Sequence, residues 1–178
     1  MNHSIKHIGE LGIKKDKVFL PEDVYAQALD TLVITCVDII IISGDKVLLI
    51  KRNIEPRKGH WWYIGGRMIA GENPVETAKR KLFTDLGISI NDGILRYFNT
   101  YSTSFAVREQ YPIYNGSHTV NITYVLEVNS NIERDFRINS GEISTYQFVK
   151  LDEIFYFLVN ENEDGYIKTV MADLKQYL

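Results

Sequence analysis

The segment from Gly65 to Ile88 constrains this chain more than any other. Three glycines (Gly65, Gly66 and Gly71) lead into Asn73-Pro74, and Glu76 stands three residues after the asparagine. Asparagine can cap orphan backbone donors, proline suits the first helical position, and Glu76 can reach back to complete a capping box. Val75, Ala78, Leu82 and Leu86 then recur at spacings of three and four, which is one apolar stripe. Gly87 sits where a left-handed C-terminal residue belongs. The spacing predicts a helix over 73–86. Glu76, Arg80 and Thr84 fall on one polar line, and Thr77, Lys81 and Asp85 on the next. A glycine-rich loop entering a helix N-terminus can be an anion or metal platform. The helical pattern alone favours an ordinary loop–helix unit with a solvated charged face.

The rest of the chain sets the scale. With 178 residues and 45% hydrophobic content, it can bury one sizeable core. Residues 1–30 read as a mixed arm and a short helix opened by Pro21 and Glu22, and residues 31–178 as the main domain. Strands are expected at 32–42, 46–52, 94–106, 117–128 and 146–149, and helices near 151–158 and 164–177. One internal helix among strands, with more helices at the end, suggests an α/β fold whose mixed sheet is covered on both faces. The single cysteine, Cys36, excludes an internal disulfide framework and reads as an inert buried thiol. A formal net charge of −3 gives no general case for nucleic acid. Thr31 to Ile42 is too short to span a membrane and is broken by Asp38. The N-terminus lacks an apolar signal stretch, so a cytoplasmic protein with no membrane partner is expected.

The glycine segment follows Leu48-Leu49-Ile50-Lys51-Arg52 and then Pro56-Arg57-Lys58-Gly59-His60-Trp61. Gly66, then Glu72 after five residues and Arg80 after seven more, followed by Asp85, Gly87 and Ile88, resembles the Nudix box, G-x5-E-x7-R-E-U-x-E-E-x-G-U. The three acidic positions after the arginine are Lys81, Thr84 and Asp85 here. Arg67 directly after the paired glycines, with only the third of those carboxylates kept, resembles the GDP-mannose mannosyl hydrolase branch of the Nudix hydrolases. The resemblance runs from about Val33 to Phe148 and implies a Nudix-type α/β/α sandwich with a mixed β-sheet, residues 31–178 being the Nudix domain. It also implies one Mg²⁺, with Mn²⁺ as the other candidate ion, held by Asp85, the Gly65 carbonyl and Glu142. Homodimerisation is left open, because family members often dimerise.

A diphosphate needs cations and forked donors, which arginine supplies. Arg52 and Arg67 are the candidates for phosphate contact and catalysis. Arg80 is a third candidate, but the resemblance implies that it belongs with Gly66 and Glu72 to a structural box, pairing with Glu72 to hold the loop. Lys81, four residues before Asp85 on the same face, can pair with it and compete with the metal or partly replace it against phosphate. The branch's histidine base, expected one position after the metal-binding loop residue, is Ile143, so Glu142 is the provisional base. His3, His7, His60 and His118 read as surface residues. Asp38, a carboxylate in an apolar strand, must find donors, either a structural partner or a ligand. Asp38 and Tyr124 complete the substrate-binding candidates. Trp61 and Tyr63 are expected on one strand face and Trp62 on the other, so that an aromatic on the cleft side could stack on a nucleobase.

Together with the resemblance, these residues imply hydrolysis of a nucleoside diphosphate linked to another moiety, with a nucleotide sugar as the first candidate. Two alternatives stand beside it. One is a pyrophosphohydrolase acting on nucleoside triphosphates or dinucleotides, and the other is a catalytically silent Nudix module that binds a nucleotide or sugar ligand.

Overall fold

The apolar run after Leu32 becomes the central strand β1 (Ile34–Ser43), because its alternate side chains can be buried on two different faces. The computed structural model describes residues 5–9, 19–91, 93–129, 132 and 136–178. At its end β1 pairs antiparallel with β2 (Lys46–Arg52), and earlier with β4 (Ile64–Arg67). Along its whole length it runs parallel to β6 (Ser117–Val128). The antiparallel strand β5 (Arg96–Phe105) lies beyond β6, while β3 (Trp61–Trp62) and β7 (Ile143–Lys150) flank β2. The result is one mixed sheet of seven strands.

Helices cover both faces. Val37, Ile39 and Ile41 pack with Leu48 and Leu126 against Ala78, Leu82 and Leu86 of helix α2 (Pro74–Leu86). Ile40, Ile42, Leu49 and Val125 pack on the other side against α3 (Ile154–Asn160) and α4 (Gly165–Tyr177). Burying each leucine of the α2 stripe is worth roughly 1.5–3 kcal/mol. Helix α1 (Glu22–Thr31) precedes β1. The expected mixed α/β sandwich is the observed one.

The ends of α2 follow the capping chemistry. Asn73 Oδ1 accepts from Glu76 N–H at 2.9 Å, Glu76 Oε2 accepts from Asn73 N–H at 2.7 Å, and Pro74 opens the helix. Gly87 turns left-handed at φ 73° and donates to the Phe83 carbonyl. One expectation is corrected here. The line Thr77, Lys81 and Asp85 is buried, not solvated.

Two further differences have simple causes. The last strand begins at Ile143, three residues before the expected start, because Ile143 and Thr145 pair with Arg52 and Lys51 across an irregularity in the register. The Trp61-Trp62-Tyr63 triplet does not alternate, since β3 ends at Trp62 and β4 starts after Tyr63. All three rings enter the core on the α3–α4 side. Among the described residues no helix is long and apolar enough to cross a membrane.

Candidate active site

Strand β4 is the pivot of the site, because its two glycines let charged side chains lie against bare backbone. A Cβ on Gly65 would stand 2.0 Å from Asp38 Oδ1, and one on Gly66 would stand 2.9 Å from Lys81 Cδ. Gly65 is therefore required by Asp38 and the Val37 carbonyl, while at Gly66 the Lys81 stem fills the space that a side chain would take. These residues open onto a cleft of about 500 Å³ whose walls include Arg52, Arg67, Asp85 and Glu142. Phe19, Tyr25, Trp62 and Phe105 add aromatic surface to it.

The loop before α2 is held by Glu72. Its Oε1 accepts from Arg80 Nε at 2.8 Å, and its Oε2 accepts from Arg80 Nη2, Thr77 Oγ1 and Ile69 N–H. Arg80 also donates to the Arg67 carbonyl at 2.9 Å, tying β4 to the helix. Arg80 and Glu72 are placed as a buttress.

Beyond that buttress the same helix presents Lys81 and Asp85. Lys81 Nζ lies 2.9 Å from Asp85 Oδ1 and 3.5 Å from Glu142 Oε2. Burial pushes the Asp85 carboxyl above its usual range, while Lys81 and the Thr84 hydroxyl pull the other way. Glu142 reaches this point because its loop is laced to neighbouring strands. Its carbonyl accepts from Asn53 N–H at 2.8 Å, and the Ser140 carbonyl accepts from Asn53 Nδ2.

Arg52 is anchored by donation from Nε to the Pro56 carbonyl at 2.7 Å. Burial lowers its pKa, and the nearby carboxylates of Glu142, Asp38 and Asp85 oppose that shift, so it stays a cation. Arg67 lies over the Tyr25 ring, 4.2 Å from its centroid, with Phe19 further out at 5.9 Å. Among the described residues Arg67 has no carboxylate partner.

Asp38 finds its donor inside the protein. Its Oδ2 accepts from Asn121 Nδ2 at 2.7 Å, and Asn121 Oδ1 in turn accepts from Thr119 Oγ1 at 2.6 Å. Complete burial raises its pKa to about 7, against the Asn121 bond and the Arg52 field. The neighbouring Cys36 thiol is pushed up to about 12 by burial and by Asp38, which fits an inert thiol.

Other candidates are placed elsewhere. Tyr124 is buried in the α2-side core, its ring edge-on to Tyr97, and does not line the cleft. His118 Nε2 lies 2.8 Å from Ser102 Oγ, and His60 Nδ1 lies 3.1 Å from Glu163 Oε2. His3 lies outside the described residues. Sequence reasoning missed Asn121, Tyr25 and Arg108. Thr119, Asn121 and Thr123 form a polar run at period two, a signal that could have marked the cleft face of β6. Arg108 is fully buried and bonds Asp30 at 2.7 Å, which only the fold could reveal.

A divalent ion does not fit this arrangement. The proposed donors are Asp85, Glu142 and the Gly65 carbonyl, but the Lys81 ammonium stands between the two carboxylates. A hard cation needs those oxygens itself. Among the described residues no group of three or more His, Cys, Asp or Glu is arranged to hold a metal.

A family model for the NUDIX domain matches residues 34–172 of the chain. No curated protein sequence matches it significantly. Solved structures that share the fold include the MutT protein of Methanosarcina mazei Go1, at 20% identity and TM-score 0.61, covering 81% of this chain and 94% of that one. A NUDIX hydrolase from Nitrosomonas europaea aligns at 19% identity and TM-score 0.60, covering 82% and 88%. The NUDIX domain of Shewanella oneidensis NrtR, solved with ADP ribose, aligns at 18% identity and TM-score 0.53, covering 77% and 88%.

Proposed function

The chain belongs to the NUDIX family of hydrolases acting on nucleoside diphosphate derivatives, and from that premise we propose that it hydrolyses a nucleoside diphosphate linked to a second moiety, a nucleotide sugar. The observation that carries this reading is Arg67. Its guanidinium lines the cleft, is stacked on Tyr25 and has no carboxylate partner among the described residues. A cation that lines a cleft with no counter-charge beside it among the described residues is suited to an anionic ligand.

Arg52, at the end of β2, lines the same cleft and adds a second forked donor. The cleft volume of about 500 Å³ suits a nucleotide-sized molecule. The aromatic wall of Tyr25, Trp62 and Phe105 gives the apolar part of that ligand a surface. Asp38, already holding Asn121, has a second oxygen for a sugar hydroxyl or a base edge.

In this reading Glu142 takes the proton from water. Its side chain is about one-third exposed, at 36%, and it stands beside Lys81 and Arg52. Water would attack the anomeric carbon or a phosphorus, and hydrolysis in ¹⁸O-labelled water decides which by the product that carries the label. Mg²⁺ enters no step of this reading, because Lys81 stands where the ion would be held.

A panel of nucleotide sugars, nucleoside triphosphates and dinucleotides, with and without Mg²⁺ or Mn²⁺, tests the assignment by products and thermal shift. Turnover of nucleotide sugars ahead of the other classes supports it. Turnover confined to triphosphates or dinucleotides moves the protein to the pyrophosphohydrolases. The Lys81–Asp85 pair favours a second reading, a binding module without turnover. Tight nucleotide-sugar binding with no product under any metal condition would establish that reading instead.

A further inference from the structure

The position between Asp85 and Glu142 is filled by a residue of this chain. Three observations fix Lys81 there. Its Nζ contacts both carboxylates, at 2.9 and 3.5 Å. Its side chain is only 8% exposed, and that of Asp85 only 4%. Its stem lies against Gly66 so closely that a Cβ on that glycine would stand 3.0 Å from Cε. The helix, the glycine strand and the loop before β7 together build a seat for an ammonium group.

The local charge balance agrees. Lys81 contacts both Asp85 and Glu142, and Arg52 stands near them with Asp38 and Glu55 also beside it, so each carboxylate of the expected metal site already has a cation close by. A divalent ion entering here would meet positive charge at contact distance. An ammonium has three N–H donors, and among the described residues two carboxylates account for two of them. The third remains for an acceptor in the cleft that Arg52 and Arg67 also line.

We propose that Lys81 is a built-in cation standing in the place of a divalent metal, and that its ammonium binds the diphosphate of a nucleoside diphosphate ligand directly. This rests on the reading of the cleft as a diphosphate site. It goes beyond that reading in assigning the charge to a side chain, so that ligand binding needs no metal and Glu142 is not committed as a ligand to one.

Two independent measurements test this. In the first, Mn²⁺ is titrated against the protein and followed by electron paramagnetic resonance. The free-ion signal is expected to stay unchanged with the wild type and to fall with Lys81→Glu, which restores a carboxylate at that point. In the second, inorganic pyrophosphate is titrated by calorimetry in EDTA and again with Mg²⁺. The wild type is expected to bind equally in both, and Lys81→Met to bind at least roughly tenfold more weakly, the loss typical of truncating one partner of a desolvated charge contact. Circular dichroism reports whether each variant folds, and Lys81→Gln replaces either one that does not.

Mn²⁺ binding by the wild type that Asp85→Ala abolishes would overturn the proposal. So would pyrophosphate binding that requires metal, or that is unchanged in Lys81→Met. If the wild type excludes Mn²⁺ yet binds no pyrophosphate under either condition, the diphosphate reading of the cleft itself falls, and the assignment of Lys81 to phosphate falls with it.

Discussion

Two charged groupings meet on helix α2, one around Glu72 and one around Asp85, and they are satisfied to very different degrees. Around Glu72, both carboxylate oxygens are filled by donors from Arg80, Thr77 and the Ile69 backbone, and Arg80 spends its remaining reach on the Arg67 carbonyl. Around Asp85 the set is looser. Lys81 is shared between two carboxylates at unequal distances, and Glu142 is partly exposed. A saturated polar network rigidifies, whereas an incompletely satisfied one keeps capacity for a ligand. The first grouping fixes the glycine loop, and the second uses the geometry so fixed.

The largest expected effect breaks the first grouping. Glu72→Ala removes the acceptor for Arg80 and Thr77 and leaves a partly buried guanidinium without its partner, which should cost about 3 kcal/mol. Urea denaturation with an unchanged m-value measures it. A loss below about 1 kcal/mol would mean that the buttress is not what holds the loop.

Asp38, across β4 from Lys81, gives the next effect and carries a sign. Its folded pKa of about 7 lies above the ordinary 3.8. Its contribution to stability is therefore fully present below about pH 4 and is lost as pH rises through about 7. Arg52, Asn121, Cys36 and Tyr63 surround it in wild type and variant alike. In Asp38→Asn this loss should vanish, so the wild type should weaken relative to the variant between pH 4 and 8 by an amount on the order of a few kcal/mol. Parallel pH–stability curves would show that Asp38 keeps its ordinary acidity.

The frame of the site was legible because it is written in local chemistry. Asn73, Pro74, Glu76 and Gly87 act within a few residues of themselves, and so do the helix stripe and the Glu72–Arg80 pair. What local pattern could not reveal depends on contacts distant in sequence. The burial of Lys81 follows from Gly66 and Glu142 closing over it. The placement of all three rings of the aromatic triplet on one side follows from the break at Tyr63. Tyr124 reads as well for a cleft as for a core until the parity of β6 relative to α2 is known. The need of Asp38 for donors is legible from its place in an apolar strand, but its donor Asn121 lies 83 residues away.

The comparison between the two groupings sharpens further with Lys81→Met, read for stability alone. Asp85 loses its nearest cation but keeps the Thr84 hydroxyl as a donor at 2.9 Å and the field of Arg52, so it does not remain an unpaired buried charge. The cost should stay near 1 kcal/mol at neutral pH, well short of the Glu72 variant, while pyrophosphate binding is lost. A stability loss equal to that of Glu72→Ala would make both groupings structural and erase the distinction.

Arg67→Ala should have the smallest structural effect of all. The guanidinium rests on Tyr25 without a carboxylate partner among the described residues, and an isolated cation–π contact of this kind is worth about 0.5–1 kcal/mol. Truncating it removes no acceptor from the buttress, because Arg80 holds the Arg67 backbone carbonyl and not its side chain. The glycine loop and the Lys81 seat should therefore stay intact, and Tyr25 should keep its place in the cleft wall. Nucleoside diphosphate binding, followed by calorimetry, should nevertheless fall at least roughly tenfold, as expected when a desolvated charge contact is lost. A variant that is clearly destabilised but binds as well as the wild type would reverse the roles assigned here, making Arg67 part of the scaffold and leaving Arg52 and Lys81 to meet the phosphates.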